Sequence, residues 1–148
     1  MKSLADLTDS ANRERSALPR LFIADQSAAI IVRVASLVDN VARVSGSATN
    51  AHDAISAIRK LKPDITVFDI GLANGVELLT QVKARRPPPL VIILTHSVDA
   101  STRQVCLRLG AEYFLDKVHE FDKLREIVIL HTSSFLGKRG SSPGSAVN

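Results

Sequence analysis

The stretch Ile65-Thr66-Val67-Phe68-Asp69-Ile70-Gly71-Leu72 decides the fold. Four apolar or β-branched residues lead into a single carboxylate, and turn-forming residues at 63–64 and 74–75 bound the stretch. A short apolar run bounded in this way is typical of a strand that is buried on both faces of a parallel sheet. Asp69 then lies at the carboxyl end of the strand, which is the edge where open parallel α/β sheets bind ligands. The rest of the chain is predicted to build a pocket around Asp69.

Short apolar runs alternate with segments of helical periodicity on both sides of this strand. Strands are predicted at 21–24, 41–45, 65–68, 90–94 and 113–115, and helices at about 30–38, 51–61, 76–82, 98–109 and 121–130. Ser27 is predicted to cap the first helix, Pro63 to stop the second and Gly110 to close the fourth. The alternation of five strands with five helices predicts an α/β fold, a five-stranded parallel sheet with helices on both faces.

The composition fits one domain with an aliphatic core. The 148 residues are 45% hydrophobic and only 4% aromatic, which is too apolar for a disordered chain. The single cysteine, Cys106, excludes an internal disulfide framework and argues against secretion. The sequence contains no apolar run of membrane-spanning length, and its N-terminus lacks the apolar core of a signal peptide. A cytoplasmic protein without a membrane partner is therefore expected.

The net charge of +4 raises the question of nucleic-acid binding. The basic residues, however, are scattered along the chain, with groups at 13–20, 59–62, 83–86 and 138–139. No helix-turn-helix pattern and no basic patch interleaved with aromatic residues accompanies them. Basic residues at solvated helix ends are the preferred interpretation, and direct DNA binding is not expected.

Polar residues follow four of the predicted strands. They are Asp25 with Gln26, then Asp69, Thr95 and Lys117. Each of them alone is compatible with an ordinary turn or cap residue. Together, at one edge of a sheet, they suit a phosphoryl group: a carboxylate can become an aspartyl phosphate, acidic neighbours can hold Mg²⁺, and a lysine and a hydroxyl can contact the phosphoryl oxygens.

At this point the sequence resembles a known family, the receiver domain of two-component response regulators. The resemblance rests on four segments, 21–27, 63–70, 91–95 and 111–117, and spans roughly residues 19 to 134. It implies a (βα)5 flavodoxin-like receiver fold. It also implies a protein that is not an enzyme in its own right, but takes part in phosphorelay signal transduction.

The resemblance assigns roles to individual residues. Asp69 matches the phosphoacceptor, Thr95 the switch hydroxyl and Lys117 the lysine that contacts the phosphate. Phe114 matches a rotating aromatic residue on the signalling face, and Gly71 matches a position whose backbone carbonyl binds the metal. With Asp25 and Asp69, Gly71 would complete the protein ligands of Mg²⁺.

Three departures from the family pattern concern this pocket. Receivers usually have two adjacent acids after the first strand, whereas this chain has Asp25-Gln26, and an amide supplies an oxygen without a charge. Weak Mg²⁺ binding is therefore expected. The stretch 72–78 after Asp69 lacks the usual proline and is two residues short. Val118 follows Lys117, where many receivers have a proline.

Two functions follow from the resemblance. The first is a single-domain receiver that accepts a phosphoryl group on Asp69 from a sensor histidine kinase or a phosphotransfer protein. It would signal through contacts with a downstream protein, and a homodimer is possible. The alternative is a degenerate pseudo-receiver that acts as a phosphorylation-independent interaction module. Gln26 and the short loop favour the alternative, whereas Asp69, Thr95 and Lys117 favour the first.

A small hydrolase or nucleotide-binding enzyme on the same kind of sheet is disfavoured. No strand is followed by a glycine-rich phosphate loop, and neither Asp69-Ile70-Gly71 nor Asp25-Gln26-Ser27 has the paired aspartates of a dehalogenase-like phosphatase. Outside the domain, residues 1–18 are predicted to form a flexible arm and residues 135–148 a disordered tail rich in glycine and serine.

Overall fold

The computed structural model describes Leu4 and residues 17–140, with side chains as far as residue 134. Nearly all of the predicted arm, and residues 141–148 of the predicted tail, lie outside the described residues. No helix in the described part of the chain is long and apolar enough to cross a bilayer.

The five predicted strands form one parallel sheet. They are β1 (Arg20–Ala24), β2 (Arg43–Ala48), β3 (Ile65–Phe68), β4 (Leu90–Thr95) and β5 (Tyr113–Asp116). Their order across the sheet is β2-β1-β3-β4-β5, and every neighbouring pair runs parallel. The strand carrying Phe68 is therefore central, and each following segment crosses over a face of the sheet to reach the next parallel strand. The predicted fold class is confirmed.

Four helices make these crossovers, and a fifth follows β5. They are α1 (Ala28–Leu37), α2 (Ala51–Leu61), α3 (Gly75–Lys83), α4 (Ala100–Arg108) and α5 (Lys123–Gly140). Ser27 caps α1 as predicted, since its Oγ accepts a hydrogen bond from the Ile30 N–H at 3.3 Å. Asn50 caps α2 in the same way by accepting from the Asp53 N–H at 2.8 Å. These side chains satisfy donors that a helix N-terminus leaves without a partner.

The core has two halves, one on each face of the sheet. Phe22 and Phe68 belong to a buried cluster with residues of α2, α3 and α4, including Ile58, Leu79 and Cys106. The alternate strand residues belong to a second cluster with residues of α1 and α5; it includes Ile23, Val67, Ile92, Val34 and Leu124. All four residues of β3 are buried, which agrees with the predicted strand covered on both faces.

Strand β2, which runs from Arg43 to Ala48 rather than from 41 to 45, and helix α5 differ most from their predicted boundaries. Strand β2 begins at Arg43 rather than at residue 41, because Val41 and Ala42 both donate to the Val38 carbonyl and close a turn after α1. Helix α5 runs to Gly140 and passes the predicted domain boundary at residue 134. No proline interrupts residues 123–140, and an existing helix gains one hydrogen bond for each residue that it adds.

Candidate functional site

The carboxyl edge of the sheet brings four of the predicted polar residues together. Asp25 follows β1, Asp69 follows β3, Thr95 ends β4 and Lys117 follows β5. Because these four strands are neighbours in the sheet, their ends lie side by side. Parallel strands all present their carboxyl ends at the same edge, and this places the four side chains in one pocket.

Lys117 is the centre of the pocket. Its Nζ lies 2.7 Å from Oδ2 of Asp25 and 2.7 Å from Oδ2 of Asp69. The side chain of Lys117 is only 4% exposed, and that of Asp25 only 5%. A charge that is buried to this extent requires a partner of opposite sign. The ammonium therefore holds two carboxylates that would otherwise repel each other.

The second oxygen of Asp69 is also occupied. Oδ1 accepts the Thr95 hydroxyl at 2.7 Å and the Gly71 backbone N–H at 2.8 Å. Burial raises the pKa of the Asp69 carboxyl, but the hydrogen bonds from Lys117, Thr95 and Gly71 outweigh it and lower the pKa below its ordinary value. At neutral pH Asp69 is thus an anion, which is the form that can act as a nucleophile.

Lys117 responds to the same contacts in the opposite sense. Burial lowers the pKa of its ammonium, while the hydrogen bonds that it donates to Asp25 and Asp69 raise it, and the net effect is a raised pKa. The lysine stays charged at neutral pH. With two carboxylates and one ammonium, the pocket carries one net negative charge.

Asp25 is fixed more firmly than its neighbour in the sequence. Its Oδ1 accepts the Ser27 N–H at 2.8 Å, so both carboxylate oxygens have a partner. Gln26, the residue that stands where receivers usually have a second acid, is exposed. The charge that the family pattern would add to this pocket is absent from that position.

The two carboxylates fit a Mg²⁺ ion that keeps most of its water. Asp25 and Asp69 share one buried ammonium, which shows that their oxygens already converge on a single cation. Mg²⁺ is usually held by one or two carboxylates together with water and phosphate oxygens. Within the described residues, no group of three or more His, Cys, Asp or Glu side chains could hold a metal ion. The donor set therefore suits a weakly bound ion.

The short loop after Asp69 is compact and partly buried. The Leu72 N–H donates to the Asp69 carbonyl at 3.1 Å, and the Gly75 N–H donates to the Leu72 carbonyl at 2.8 Å. Ile70 is 8% and Leu72 is 6% exposed. A Cβ atom at Gly75 would lie 2.3 Å from the Ile70 carbonyl oxygen. The loop is closed by a backbone approach that only glycine permits.

The loop that carries Lys117 contains polar residues that the sequence analysis did not select. Oδ1 of Asp116 accepts the N–H of Val118 at 2.8 Å, and Oε1 of Glu120 accepts the N–H of Asp116 at 3.0 Å. Oδ2 of Asp116 lies 2.9 Å from Nδ1 of His119. An aspartate that bonds to the backbone two residues later is a common turn device. An aspartate directly before Lys117 was therefore the sequence signal that could have identified the turn after β5.

Phe114 is a buried residue of the core. It is 5% exposed and belongs to the core cluster that includes Cys106 and Ala111. The guanidinium carbon of Arg103 lies 5.8 Å from the centre of its ring. Gly71 is at the pocket, where the structure shows its N–H donating to Asp69; the predicted metal contact of its carbonyl stays a prediction.

Curated proteins with similar sequences have longer chains and include a transcriptional regulatory protein and an enzyme. The uncharacterized transcriptional regulatory protein YvfU of Bacillus subtilis is 30% identical over 133 residues, which is 87% of this chain and 65% of that protein. A protein-glutamate methylesterase/protein-glutamine glutaminase of Agrobacterium fabrum is 35% identical over 103 residues, which is 65% of this chain and 29% of that protein. The chain spans less than two thirds of the length of these relatives.

Solved structures show the same fold. A CheY-like response regulator receiver domain protein from Methanospirillum hungatei superposes with a TM-score of 0.72 at 24% identity, covering 83% of this chain and 99% of that one. The response regulator domain of Thermotoga maritima CheB superposes with a TM-score of 0.64 at 24% identity, covering 85% and 99%. The family model for the response regulator receiver domain matches residues 21–129. With that match over most of the chain, and with an Asp–Thr–Lys pocket at the carboxyl edge of a (βα)5 sheet, this chain belongs to the response regulator receiver domain family.

Proposed function

We propose that the chain accepts a phosphoryl group on Asp69 from a sensor histidine kinase or a phosphotransfer protein. The observation that carries this proposal is the set of contacts around one carboxylate. Thr95 Oγ1 and Lys117 Nζ each lie 2.7 Å from an oxygen of Asp69. These are the hydroxyl and the cation that a phosphoryl group on Asp69 would need as partners.

The transfer replaces one bond to phosphorus with another. An oxygen of the ionised Asp69 attacks the phosphorus of a donor phosphohistidine, a P–O bond forms and the P–N bond breaks. The electron pair of the P–N bond stays on the imidazole nitrogen, which then takes up a proton. Lys117 can move from the carboxylate to a phosphoryl oxygen, and the Thr95 hydroxyl can follow it, since both already lie within hydrogen-bonding distance of Asp69.

A bound Mg²⁺ would supply positive charge that neutralises the phosphoryl oxygens during the transfer. Asp25 and Asp69 are the residues that would hold it. Gln26 offers no negative charge at the neighbouring position, so the ion is expected to bind weakly and the transfer to depend steeply on Mg²⁺ concentration.

The signal is proposed to leave through protein contacts on the face formed by α4, β5 and α5. A switch in the population of two conformations, driven by contacts of Thr95 and Phe114, would alter this face. Exposed apolar side chains on α4 and α5 suit a protein partner: Val105 is 41%, Leu107 40%, Ile129 51% and Leu130 68% exposed. Such a surface fits a downstream target or a second copy of the chain.

Intact-mass spectrometry after incubation with acetyl phosphate and Mg²⁺ tests the proposal. We expect a single phosphoryl adduct on the wild-type protein that Asp69→Asn lacks. Asp69→Asn keeps the shape of the side chain, so circular dichroism of both proteins controls for folding. If neither acetyl phosphate nor a panel of histidine kinases phosphorylates the folded wild-type protein, the proposal fails.

The exposed, neutral Gln26 favours the second candidate, a degenerate receiver that binds partners without phosphorylation. Gln26→Asp separates the two candidates, because a second carboxylate should tighten Mg²⁺ binding and speed the formation of the adduct. If neither the wild type nor the Gln26→Asp variant is phosphorylated at a measurable rate, the result supports the degenerate receiver. A measurable rate in the wild type that rises in the variant would support phosphotransfer.

A further inference from the structure

Basic residues that are scattered in the sequence converge at the amino edge of the sheet. Lys62, Arg85 and Arg86 line one cleft, at the ends of α2 and α3. Arg59 and Arg85 line a smaller recess beside it, between the same two helices. Because the positive groups come from separate helix ends, only the fold places them next to each other.

The two arginine heads in this cleft are held in place by backbone carbonyls. Nη1 of Arg85 donates to the Ile58 carbonyl at 2.7 Å. Nη1 of Arg86 donates to the carbonyls of Lys83 at 3.1 Å and Arg85 at 3.0 Å. A guanidinium has five N–H donors, so most of the donors on each head are not used by these bonds. The positive groups are preorganised and can still bind an anion.

No carboxylate of the described residues neutralises these cations. The ion pairs within residues 17–134 involve Lys83, Lys117, His119 and Lys123, and none of them includes Lys62, Arg85 or Arg86. Among the described residues that line the cleft, Asp64 is the one acid, and its Oδ2 accepts the Arg20 N–H at 2.8 Å. Three cations and one carboxylate leave the lining with two net positive charges.

Prolines make part of the cleft wall apolar and stiff. Its volume is about 290 Å³, and Pro63, Pro87, Pro88 and Pro89 line it together with Ile58. Proline has a fixed φ angle and loses little freedom when a ligand binds. Such a groove suits an extended segment that carries both carboxylates and aliphatic side chains. The carboxylates can pair with the cations, and the aliphatic side chains can pack against the prolines and Ile58.

We propose that this cleft, lined by Lys62, Arg85, Arg86 and the four prolines, binds an acidic peptide segment of a partner protein. Cations at the ends of α2 and α3 complement the helix dipoles, but that role requires neither a concave site nor proline walls. None of the described residues that line the cleft is aromatic, whereas surfaces for single-stranded nucleic acid depend on aromatic stacking. An acidic peptide that also carries aliphatic side chains can pair with the cations and pack against the prolines at the same time.

The cleft is separate from the pocket around Asp69. It lies where β3 and β4 begin, whereas Asp69 follows the end of β3. A peptide bound here leaves Asp69 open to a phosphodonor. The proposal is therefore independent of whether Asp69 is phosphorylated.

Fluorescence anisotropy with the full chain tests the proposal. The probe is a fluorescein-labelled peptide of alternating glutamate and valine residues, and the same peptide with glutamine in place of glutamate is its control. We expect the acidic peptide to bind, the glutamine peptide not to bind, and Lys62→Gln combined with Arg86→Gln to weaken binding about tenfold. Arg103→Gln combined with Arg108→Gln removes the same charge from α4 and should leave binding within about twofold.

Three results would overturn the proposal. The first is equal weakening by both double variants, which would show attraction by net charge alone. The second is tighter binding of a duplex oligonucleotide than of the acidic peptide, which would assign the cleft to nucleic acid. The third is no binding of the peptide at concentrations up to about 1 mM. Circular dichroism confirms that each variant is folded before its binding is compared.

Discussion

The two edges of the sheet hold their charges in opposite ways. At the carboxyl edge, Lys117 is buried and lies 2.7 Å from both Asp25 and Asp69, so each charge depends on the others. At the amino edge, Arg85 and Arg86 rest on backbone carbonyls and no described carboxylate pairs with them. Removing a charge from the first edge leaves another buried charge without a partner, whereas removing one from the second edge leaves water in its place. The stability of the fold should depend on the charges of the carboxyl edge, and binding of the acidic peptide on those of the amino edge.

Lys117→Met gives the largest expected effect. Methionine fills a similar volume but leaves the carboxylates of Asp25 and Asp69 facing each other without a counter-ion. Breaking a buried ion pair from one side costs about 3–5 kcal/mol, and we expect a loss of that order in urea unfolding at pH 7. Lys60→Met, on the exposed surface of α2, is the matched control and should change the free energy of unfolding by less than about 0.5 kcal/mol. Equal losses in the two variants would remove the contrast between buried and exposed cations.

Gly75→Ala is expected to act on the loop that borders the carboxyl edge. The new Cβ would lie 2.3 Å from the Ile70 carbonyl oxygen, so the backbone itself must move. We expect a loss of about 3 kcal/mol in the free energy of unfolding. Gly46→Ala is the matched comparison, because its Cβ would meet the Leu61 Cδ1 at 2.8 Å, the far end of a flexible side chain. The same measurement should give the smaller loss for Gly46→Ala, and the reverse order would show that the short loop is not rigid.

The pH dependence of stability provides a third test. The pKa of Asp69 is lowered in the folded state, so its contribution is complete above its unfolded pKa of about 4 and is lost as the pH falls through the folded value. The pKa of Lys117 is raised, so its contribution is complete below its unfolded pKa of about 10.5 and is lost as the pH rises through the folded value. Urea midpoints should therefore fall at both extremes, and Asp69→Asn should flatten the acid limb. An unchanged acid limb in Asp69→Asn would assign acid unfolding to other carboxylates.

The carboxyl and amino edges of the sheet also differ in how far they could be predicted from the sequence. Asp69 and Thr95 follow an apolar run directly, and Lys117 follows one after Asp116. Because the ends of parallel strands must meet at one edge, linear order was enough to bring the three residues together. The start of β2 was missed because Val41 is apolar, yet its N–H closes a turn onto Val38. Hydrophobicity marks the interior of a strand better than its ends.

The basic cleft could not be predicted in this way. Lys62, Arg85 and Arg86 occur at the ends of different helices, and their distance depends on how α2 and α3 pack over the sheet. The hydrogen bonds of Asp116 and Glu120 in the loop that carries Lys117 were missed for a related reason. The approach of Glu120 to Asp116 depends on the path of that loop. Periodicity predicts the elements and the ends of strands, but it does not predict how helix ends approach each other.

Lys62→Gly is the smallest expected effect and the sharpest test of the amino edge. Lys62 ends α2 in the left-handed region with φ of 48°, where a Cβ atom costs about 1–2 kcal/mol. Glycine removes this cost, but about 0.4–1 kcal/mol of extra unfolded-state entropy opposes the gain, so the variant should be as stable as the wild type or up to about 1.6 kcal/mol more stable. Lys60→Gly, two residues earlier and inside the helix, should instead lose about 0.5–1 kcal/mol. Of the two, only Lys62→Gly should also weaken binding of the acidic peptide, because only Lys62 lines the cleft. A stable Lys62→Gly variant with unchanged peptide binding would show that Lys62 does not contribute to the affinity. The binding would then depend on Arg85 and Arg86.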